Sequence, residues 1–242
     1  AGTAAVVQAP TTSRDDILLI VEPVLMAPLR RDWAQVQQRA HELVQKRASA
    51  PTRAVATRTL NELEMLLLDF AQRLQSTRVL DPACGSGNFL YISLRQMLDL
   101  EKEVINFCGA VGVQPFFPAV SPQQLYGIEI NEYAHELAQA TVWIGYLQWL
   151  HENGYGFPSE PILQPLHNIK HMDAILAYDE QGRPVEPEWP EAEVIIGNPP
   201  FLGEKRMRKE LGDKYVDAVR SVYQSRLPAC DLVCYWFEKA RG

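Results

Sequence analysis

The sequence predicts an α/β fold with an open, mostly parallel sheet. After the first 75 residues, short β-type runs alternate with longer helical patterns. This alternation is typical of a parallel sheet with crossover helices. Helical patterns alone precede the first strand signal. We therefore expect a helical lead-in over residues 1–75 and an α/β domain over residues 76–242.

Two amphipathic helices are expected in the lead-in. One covers residues 31–47, where the apolar side chains recur at helical spacing: Trp33, Val36, Ala40, Leu43 and Val44. The second is expected to begin at Thr59 and to run to Leu74, because Thr59 and Glu62 have the spacing of a capping box.

Four strands are expected in the α/β domain, and each ends where a polar residue appears: residues 78–81, 124–130, 168–172 and 194–197. Helices are expected at residues 88–106 and 132–150, the second with a face of small side chains. Three proline-rich stretches are expected to be surface loops, at residues 111–123, 153–165 and 179–190. The last of them is acidic, and we expect it to be solvated.

The composition excludes several classes of protein. Of the 242 residues, 47% are hydrophobic and 22% are charged, which is ordinary globular usage and unlike disordered, collagen-like or coiled-coil chains. The longest apolar stretch, residues 17–29, is broken by Glu22, Pro23 and Pro28, so no membrane-spanning segment is expected. The four cysteines are too few for a disulfide scaffold and poorly spaced for zinc, so we expect reduced thiols and no metal site.

The ends of the sequence also carry information. The opening AGTAAVVQAP has no initiator methionine and no signal-peptide pattern. Both ends look cut, as in an excised piece of a larger protein, and we expect a cytoplasmic location.

The first strand leads into DPACGSG, residues 81–87, and a helix is expected from Asn88. Glycines allow a tight turn here, and the helix N-terminus offers free amide groups to a ligand. A dinucleotide fingerprint would need a third Gly or Ala where Leu90 stands. Because the carboxylate of Asp81 would repel a pyrophosphate, a sulfonium-bearing nucleoside fits this loop better.

Acidic residues follow the next two strands. Glu129, in YGIEIN, stands where a carboxylate can accept both hydroxyl groups of a ribose, with an ordinary exposed Glu as the alternative. Asp173, in HMDA, either accepts a hydrogen bond from an adenine amino group or caps the next helix. Glu129 lies well beyond the ~20 positions after the glycine loop that are typical of compact units, and we attribute the excess to an insertion within residues 106–123.

The fourth strand leads into GNPPF, residues 197–201. Pro199 and Pro200 keep the backbone extended and remove two amide donors, which leaves the Asn198 side-chain oxygen and backbone carbonyls as acceptors. Such a loop accepts hydrogen bonds from an amino group, and Phe201 offers an apolar face to a flipped-out base. The alternative is an Asn-Pro turn followed by a core phenylalanine.

These residues together resemble the motifs of S-adenosylmethionine-dependent amino-group DNA methyltransferases. DPACGSGNFL resembles the first motif of that family, YGIEIN the acidic second, MDA the third and NPPF the catalytic tetrapeptide. The resemblance covers about residues 78–241 and is greatest to the methyltransferase portion of type II fused restriction-modification enzymes. It implies a Rossmann-like class I methyltransferase core, truncated here because the family sheet has seven strands.

The resemblance also implies roles for individual residues. The first motif would hold the methionine end of the cofactor, the second its ribose and the third its adenine. The cofactor-binding residues would be Asp81, Pro82, Ala83, Cys84, Gly85, Gly87, Asn88, Glu129, Ile130, Asp173 and Ala174. Asn198 and the Pro199 carbonyl would accept the hydrogens of the target amine, and the catalytic set would be Asn198, Pro199, Pro200 and Phe201. A helix at residues 231–240 resembles the fifth motif, whose aromatic residues border the cofactor site.

The implied substrate is the 6-amino group of adenine in double-stranded DNA, with a target-recognition domain missing from this sequence. Asn198 favours adenine, because Ser-Pro-Pro is commoner in enzymes that methylate the 4-amino group of cytosine. A cytosine-5 enzyme is excluded, since this loop has no cysteine. Cytosine-N4 methylation, methylation of a protein glutamine and non-catalytic cofactor binding remain alternatives.

The formal net charge of −7 is unlike that of a general nucleic-acid binder. A local basic cluster follows the catalytic loop, however: Lys205, Arg206, Arg208 and Lys209. We expect it to touch the DNA backbone, with a solvated helix face as the alternative.

Overall fold

The computed structural model describes residues 13–156 and 166–241. The lead-in consists of α1 (Arg14–Val21), a π-helical turn (Glu22–Met26), α2 (Ala27–Ala48) and α3 (Arg53–Ser76). The core follows with β1 (Val79–Asp81), α4 (Asn88–Ala110), a 3₁₀ turn (Pro122–Gln124), β2 (Leu125–Glu129), α5 (Glu132–Glu152) and β3 (Ile169–His171). The remaining elements are β4 (Ala177–Tyr178), β5 (Pro184–Val185), β6 (Val194–Ile195), α6 (Glu204–Leu211), α7 (Asp213–Tyr223) and α8 (Val233–Arg241).

Four parallel strands form the central sheet in the order β3–β2–β1–β6. Leu80 of β1 pairs with Tyr126 of β2 on one side and with Ile195 of β6 on the other. The chain builds the sheet outward from β1 to β3 and then returns to the opposite side of β1. In open α/β sheets, ligands bind at the carboxyl ends of the strands where the order reverses in this way. The sheet confirms the predicted α/β class, and the point of reversal lies between β1 and β6.

The lead-in helices pack on α4. Trp33 of α2 stacks on Phe70 of α3 with the ring centroids 5.0 Å apart, and it meets Phe107 of α4 edge-on. Its indole nitrogen also donates a hydrogen bond to Glu103 of α4 at 2.7 Å. One continuous hydrophobic cluster therefore includes residues of α1 to α5. The division of the chain into two domains after residue 75 stays a prediction.

The expected start of the second lead-in helix was wrong. α3 begins at Arg53, and the Thr52 hydroxyl caps it by accepting a hydrogen bond from the Val55 amide at 3.3 Å. Thr59 is buried inside the helix, where its hydroxyl donates to the Val55 carbonyl. The capping-box spacing was misleading because a threonine inside a helix can bond back to its own preceding turn.

The insertion that follows α4 is anchored by a buried carboxylate. Glu101 of α4 is fully buried, and its side chain accepts hydrogen bonds from the amides of Ala119 at 2.8 Å and Val120 at 3.0 Å. Gln75 of α3 donates a third hydrogen bond at 3.3 Å. Burial raises the pKa of Glu101, and these three donors lower it. The segment at residues 111–123 is a surface loop, as predicted, anchored at Val120 and ending in the 3₁₀ turn. Most of the loop predicted at residues 153–165 lies outside the described residues.

The acidic stretch at residues 179–190 is a solvated loop only in part, with residues 180–183 and Glu188 exposed. It contains β5, which pairs antiparallel with β4, and only the tip between the two strands is a turn. Glu186 forms ion pairs with Arg226 and with Lys239 of α8. Trp189 donates a hydrogen bond to the Ala174 carbonyl at 2.7 Å. The anchored part, at Glu186 and Trp189, was not predicted because its partners lie far away in the sequence.

In the part of the chain that the structure describes, no helix combines the length and apolar character that crossing a membrane requires.

Glu101→Gln should destabilise the protein, because the Val120 amide contacts both carboxylate oxygens, so the amide nitrogen of glutamine would face that donor in either orientation. We expect a loss of about 1–3 kcal/mol in the free energy of unfolding, measured with urea. The matched control is Glu180→Gln at an exposed position, which should change stability by less than about 0.5 kcal/mol. Equal stability of both variants would show that Glu101 does not hold the insertion.

Candidate cofactor and catalytic site

The first motif forms a tight loop between β1 and α4. The Cys84 amide donates to the Ile128 carbonyl of β2 at 3.0 Å, and the Gly87 amide donates to the Cys84 carbonyl at 2.8 Å. Gly87 precedes α4 with a left-handed φ of 83°. A Cβ atom there would lie 3.1 Å from the backbone of Ala138 in α5. The small-residue face of α5 therefore lets this loop pack directly on the helix.

Glu129, at the end of β2, joins the first two motifs. One carboxylate oxygen accepts the Gly85 amide at 2.8 Å, and the other accepts the Asn131 amide at 2.7 Å. A Cβ atom on Gly85 would meet nothing within 4 Å, so the loop faces open space at this position. Glu129 thus holds the loop in place with its open side exposed to an incoming ligand.

Asp81 lies at the end of β1 and is buried. Its Oδ1 atom accepts the Ala83 amide at 3.0 Å, whereas its buried Oδ2 atom has no hydrogen-bond partner. Burial raises the pKa of Asp81 to about 7, the Ala83 hydrogen bond lowers it, and the nearby charge of Glu129 raises it further. An unsatisfied buried carboxylate oxygen is costly, and a cationic or hydrogen-donating ligand would relieve that cost. The site therefore fits a cationic or hydrogen-donating ligand.

The predicted catalytic loop lies next to Asp81. The Ile196 amide donates to the Leu80 carbonyl at 2.9 Å, which places the end of β6 beside the end of β1. A Cβ atom on Gly197 would overlap the Oδ1 atom of Asp81, so a glycine is required for this close approach. The structure therefore brings the first and fourth motifs together.

The side chains of GNPPF differ in exposure. Asn198, Pro199 and Pro200 are half-buried, whereas the Phe201 side chain is 70% exposed. The alternative of a core phenylalanine is therefore wrong, and Leu202 is the residue that enters the core. The Leu202 carbonyl accepts the Leu232 amide at 2.9 Å, which fixes the end of the loop.

Asp173 caps a turn and not a helix. Its Oδ1 atom accepts the amides of Ile175 at 2.8 Å and Leu176 at 3.2 Å, and no helix follows. Its Oδ2 atom accepts a hydrogen bond from the Tyr215 hydroxyl of α7 at 2.7 Å. Burial raises the pKa of Asp173, and these hydrogen bonds lower it. The expected helix cap was wrong, and a role for Asp173 toward adenine stays a prediction.

The remaining predicted site residues lie around the same strand ends. The Cys84 thiol is buried, and burial raises its pKa, so it is a packing group and not a nucleophile. Pro82 receives a hydrogen bond on its carbonyl from the Trp236 indole of α8 at 3.4 Å. Ile130 is 44% exposed beyond β2, and Ala174 is buried beyond β3.

Two aromatic residues extend the site that the motifs predicted. Trp236 lies in the segment that resembles the fifth motif, so the sequence predicts the segment but not this particular residue. Tyr215 gave no signal in the sequence, because nothing in its surroundings links it to a strand end more than 40 residues earlier.

The fold and the strand-end residues define a class. The parallel sheet reverses its order between β1 and β6, acidic residues follow β1, β2 and β3, and an Asn-Pro-Pro loop follows β6. This arrangement is that of a Rossmann-like class I methyltransferase core with a helical N-terminal segment, as the sequence predicted.

The sequence model of the family described as "MmeI, DNA-methyltransferase domain" matches residues 55–242. The chain belongs to this family. The predicted resemblance to DNA methyltransferases and to fused restriction-modification enzymes is thereby confirmed.

Individual relatives agree with this assignment. DNA methyltransferase A of Bacillus subtilis is 32% identical over 169 residues, which are 68% of this chain and 19% of that protein. A putative type II restriction enzyme and methyltransferase of Methanocaldococcus jannaschii is 28% identical over 88 residues, which are 36% of this chain and 8% of that protein.

A solved structure matches nearly the whole chain. It is the type IIL restriction-modification enzyme MmeI in complex with DNA, with a TM-score of 0.65 and 25% identity over 95% of this chain and 28% of that one. The chain thus spans less than a third of the length of each of these relatives.

Asp81→Asn should remove a pH dependence from the stability of the cofactor-free protein. Because the pKa of Asp81 in the folded state, about 7, lies above its value of about 4 in an unfolded chain, this residue favours folding most below about pH 4. That contribution is lost as the pH rises toward 7. As the pH rises from about 4 to about 7, the wild type should therefore lose stability relative to Asp81→Asn, by up to about 1.4 kcal/mol per pH unit. Urea unfolding at a series of pH values measures it, and a pH-independent difference would contradict the assignment.

Tyr215→Phe should remove the hydrogen bond to the Asp173 carboxylate and cost about 1.5–3 kcal/mol of unfolding free energy. The cost should be larger at pH 8 than at pH 4, because the lost donor stabilises the ionised carboxylate. Tyr178→Phe is the control, since that side chain is 59% exposed and its loss should be nearly neutral. A loss no greater than that of the control would rule out a supporting role for Tyr215.

Proposed function

We propose that this chain is the catalytic part of an S-adenosylmethionine-dependent DNA methyltransferase that modifies the 6-amino group of adenine. The observation that carries the proposal is the contact between the ends of β1 and β6. There, Gly197 closes against Asp81, so the loop that presents acceptors to an amine lies beside the loop suited to a sulfonium cofactor. A methyl transfer needs these two groups next to each other.

The cofactor would lie along the carboxyl ends of β1, β2 and β3. The unsatisfied oxygen of Asp81 and the open side of the loop at Gly85 would receive its methionine end. Glu129 would receive the ribose hydroxyls, since its oxygens retain lone pairs after accepting one amide each. Asp173 and Ala174 would border the adenine.

The catalytic loop would act on the amine by hydrogen bonding. The Asn198 side-chain oxygen and the Pro199 carbonyl would accept the two amine hydrogens, which turns the nitrogen lone pair away from ring conjugation. The exposed ring of Phe201 would stack on the flipped base. Bound S-adenosylmethionine supplies a methyl group made electrophilic by the adjacent sulfonium. The loop contributes positioning and electrostatic stabilisation, without a covalent intermediate.

The residues of the two loops favour adenine over the alternative substrates and over non-catalytic binding. Asn198 favours adenine over the 4-amino group of cytosine in this type of loop. Methylation of a protein glutamine agrees less well with Phe201, where such enzymes usually carry Tyr. A non-catalytic cofactor binder agrees less well with the retention of both Asp81 and Asn198.

The surrounding protein would supply the rest of the activity. The relatives are described as DNA methyltransferases and restriction-modification enzymes, and the chain spans less than a third of each. We therefore propose that double-stranded DNA is the partner and that a target-recognition domain outside this chain reads the sequence. The context would be restriction-modification or phage defence in a bacterial cytoplasm.

The proposal predicts separate effects for the two loops. Asp81→Ala should abolish S-adenosylmethionine binding in calorimetric titration, because the cationic end loses its carboxylate. Asn198→Ala should keep cofactor affinity within about threefold and lower methyl transfer to DNA by at least about a hundredfold, as for loss of a group that acts at the transition state.

The base is identified by digesting DNA methylated by the full-length protein and analysing the nucleosides by mass spectrometry. N6-methyladenine is the expected product. N4-methylcytosine would replace the adenine assignment, and transfer only to protein would overturn the DNA substrate. Cofactor binding without transfer to any of these would leave the non-catalytic alternative.

A further inference from the structure

The helix that follows the catalytic loop separates its basic residues into two groups. Arg206 pairs with Glu210 at 3.2 Å within α6. Arg208 reaches across to α7, where it pairs with Asp213 at 2.9 Å and with Asp217 at 2.7 Å. The two arginines are therefore engaged inside the α6–α7 pair, and Arg208 ties the two helices together.

Lys205 and Lys209 differ from the arginines. Both are exposed, and neither forms an ion pair within residues 13–156 and 166–241. They are four positions apart, so they lie on one face of α6, and that face is opposite to the buried Met207. Two ammonium groups thus point away from the core on the same side.

The acidic residues around this lysine face already pair with arginines. Glu204 pairs with Arg220 at 3.0 Å, Glu210 with Arg206, and the two aspartates of α7 with Arg208. Together α6 and α7 carry six basic residues against four acidic ones, so the helix pair that includes Lys205 and Lys209 is locally positive, although the chain as a whole carries −7.

The position of α6 relative to the catalytic loop is fixed. Leu202 is buried, and the Glu204 amide donates to the Asp231 carboxylate at 2.8 Å, which caps the start of the helix. Lys205 follows the exposed Phe201 by four residues, a distance of at most about 14 Å along the chain. A nucleotide held at Phe201 would have its flanking phosphates within reach of this face.

We propose that Lys205 and Lys209 form a phosphate-contacting face that holds the DNA backbone beside the flipped base. Arg206 is paired within α6, Arg208 holds α6 against α7, and neither arginine contacts DNA. This inference rests on the proposed DNA methyltransferase function. Phosphate contacts carry no sequence information, so the face would act on every DNA site equally.

The test is the salt dependence of DNA binding by the full-length protein. Binding of a fluorescent duplex is followed by anisotropy from low to moderate sodium chloride concentration, for the parent and for Lys205→Gln/Lys209→Gln. Each lost phosphate contact should reduce the slope of log affinity against log salt by about 0.9, so the double variant should lose about 1.8. The reduction in slope should be the same for a duplex with the recognition sequence and for an unrelated duplex.

Two further variants make the result interpretable. Arg31→Gln/Arg53→Gln removes two exposed charges from the lead-in helices, where neither arginine forms an ion pair with the described residues, and should leave the slope unchanged. Arg206→Gln/Arg208→Gln should lower the unfolding midpoint and leave the slope of the remaining folded protein unchanged. Cofactor affinity of the lysine variant should equal that of the parent, which shows that it is folded.

An unchanged slope for the lysine variant would contradict the proposal that Lys205 and Lys209 contact phosphates. A parent protein that binds no duplex at low salt would contradict it as well. A smaller slope for the arginine variant than for the lysine variant would assign the contact to the arginines instead. Failure of the proposed function is seen separately, as absence of cofactor binding or of methyl transfer by the parent protein.

Discussion

The close approach of β6 to β1 is the constraint on which the site depends. Gly197 lies so near the Asp81 carboxylate that any Cβ atom there would overlap it. A side chain at this position would displace either the end of β6 or the buried carboxylate. The spacing between the loop for the cofactor and the loop for the amine is therefore set by two adjacent strands, which are among the most rigid parts of a sheet protein.

The electrostatics of the site follow from the same packing. Asp81 is buried with one oxygen unsatisfied, and Glu129 is close enough to raise the pKa of Asp81. Burial of the carboxylate is the main cause that raises the pKa of Asp81 to about 7, and the nearby charge of Glu129 adds to it. A positively charged ligand would reverse this effect and favour the ionised form. The site is thus suited to a cationic ligand, because a positive charge would offset the cost of the buried carboxylate.

Local sequence patterns made the core predictable, whereas contacts between residues far apart in the sequence could not be predicted. The strands and the glycine loop were recognised because turn residues and polar strand ends act over a few positions, and the parallel order then brought Asp81 and Asn198 to neighbouring strand ends. The start of α3, the partners of Glu186 and the Tyr215 contact depended on side-chain choices that spacing alone does not distinguish. The four basic residues of α6 looked equivalent in sequence, and only the acidic residues of α7 distinguish Arg208 from the lysines.

Residues later in the chain hold the C-terminal end of the catalytic loop. Asp231 caps α6, and the Leu232 amide bonds the Leu202 carbonyl just after the loop. Trp236 of the same segment reaches the Pro82 carbonyl in the first motif. One short stretch therefore contacts both the loop for the amine and the loop for the cofactor. This stretch lies outside the four motifs, yet a shift of it would disturb contacts to both loops at once.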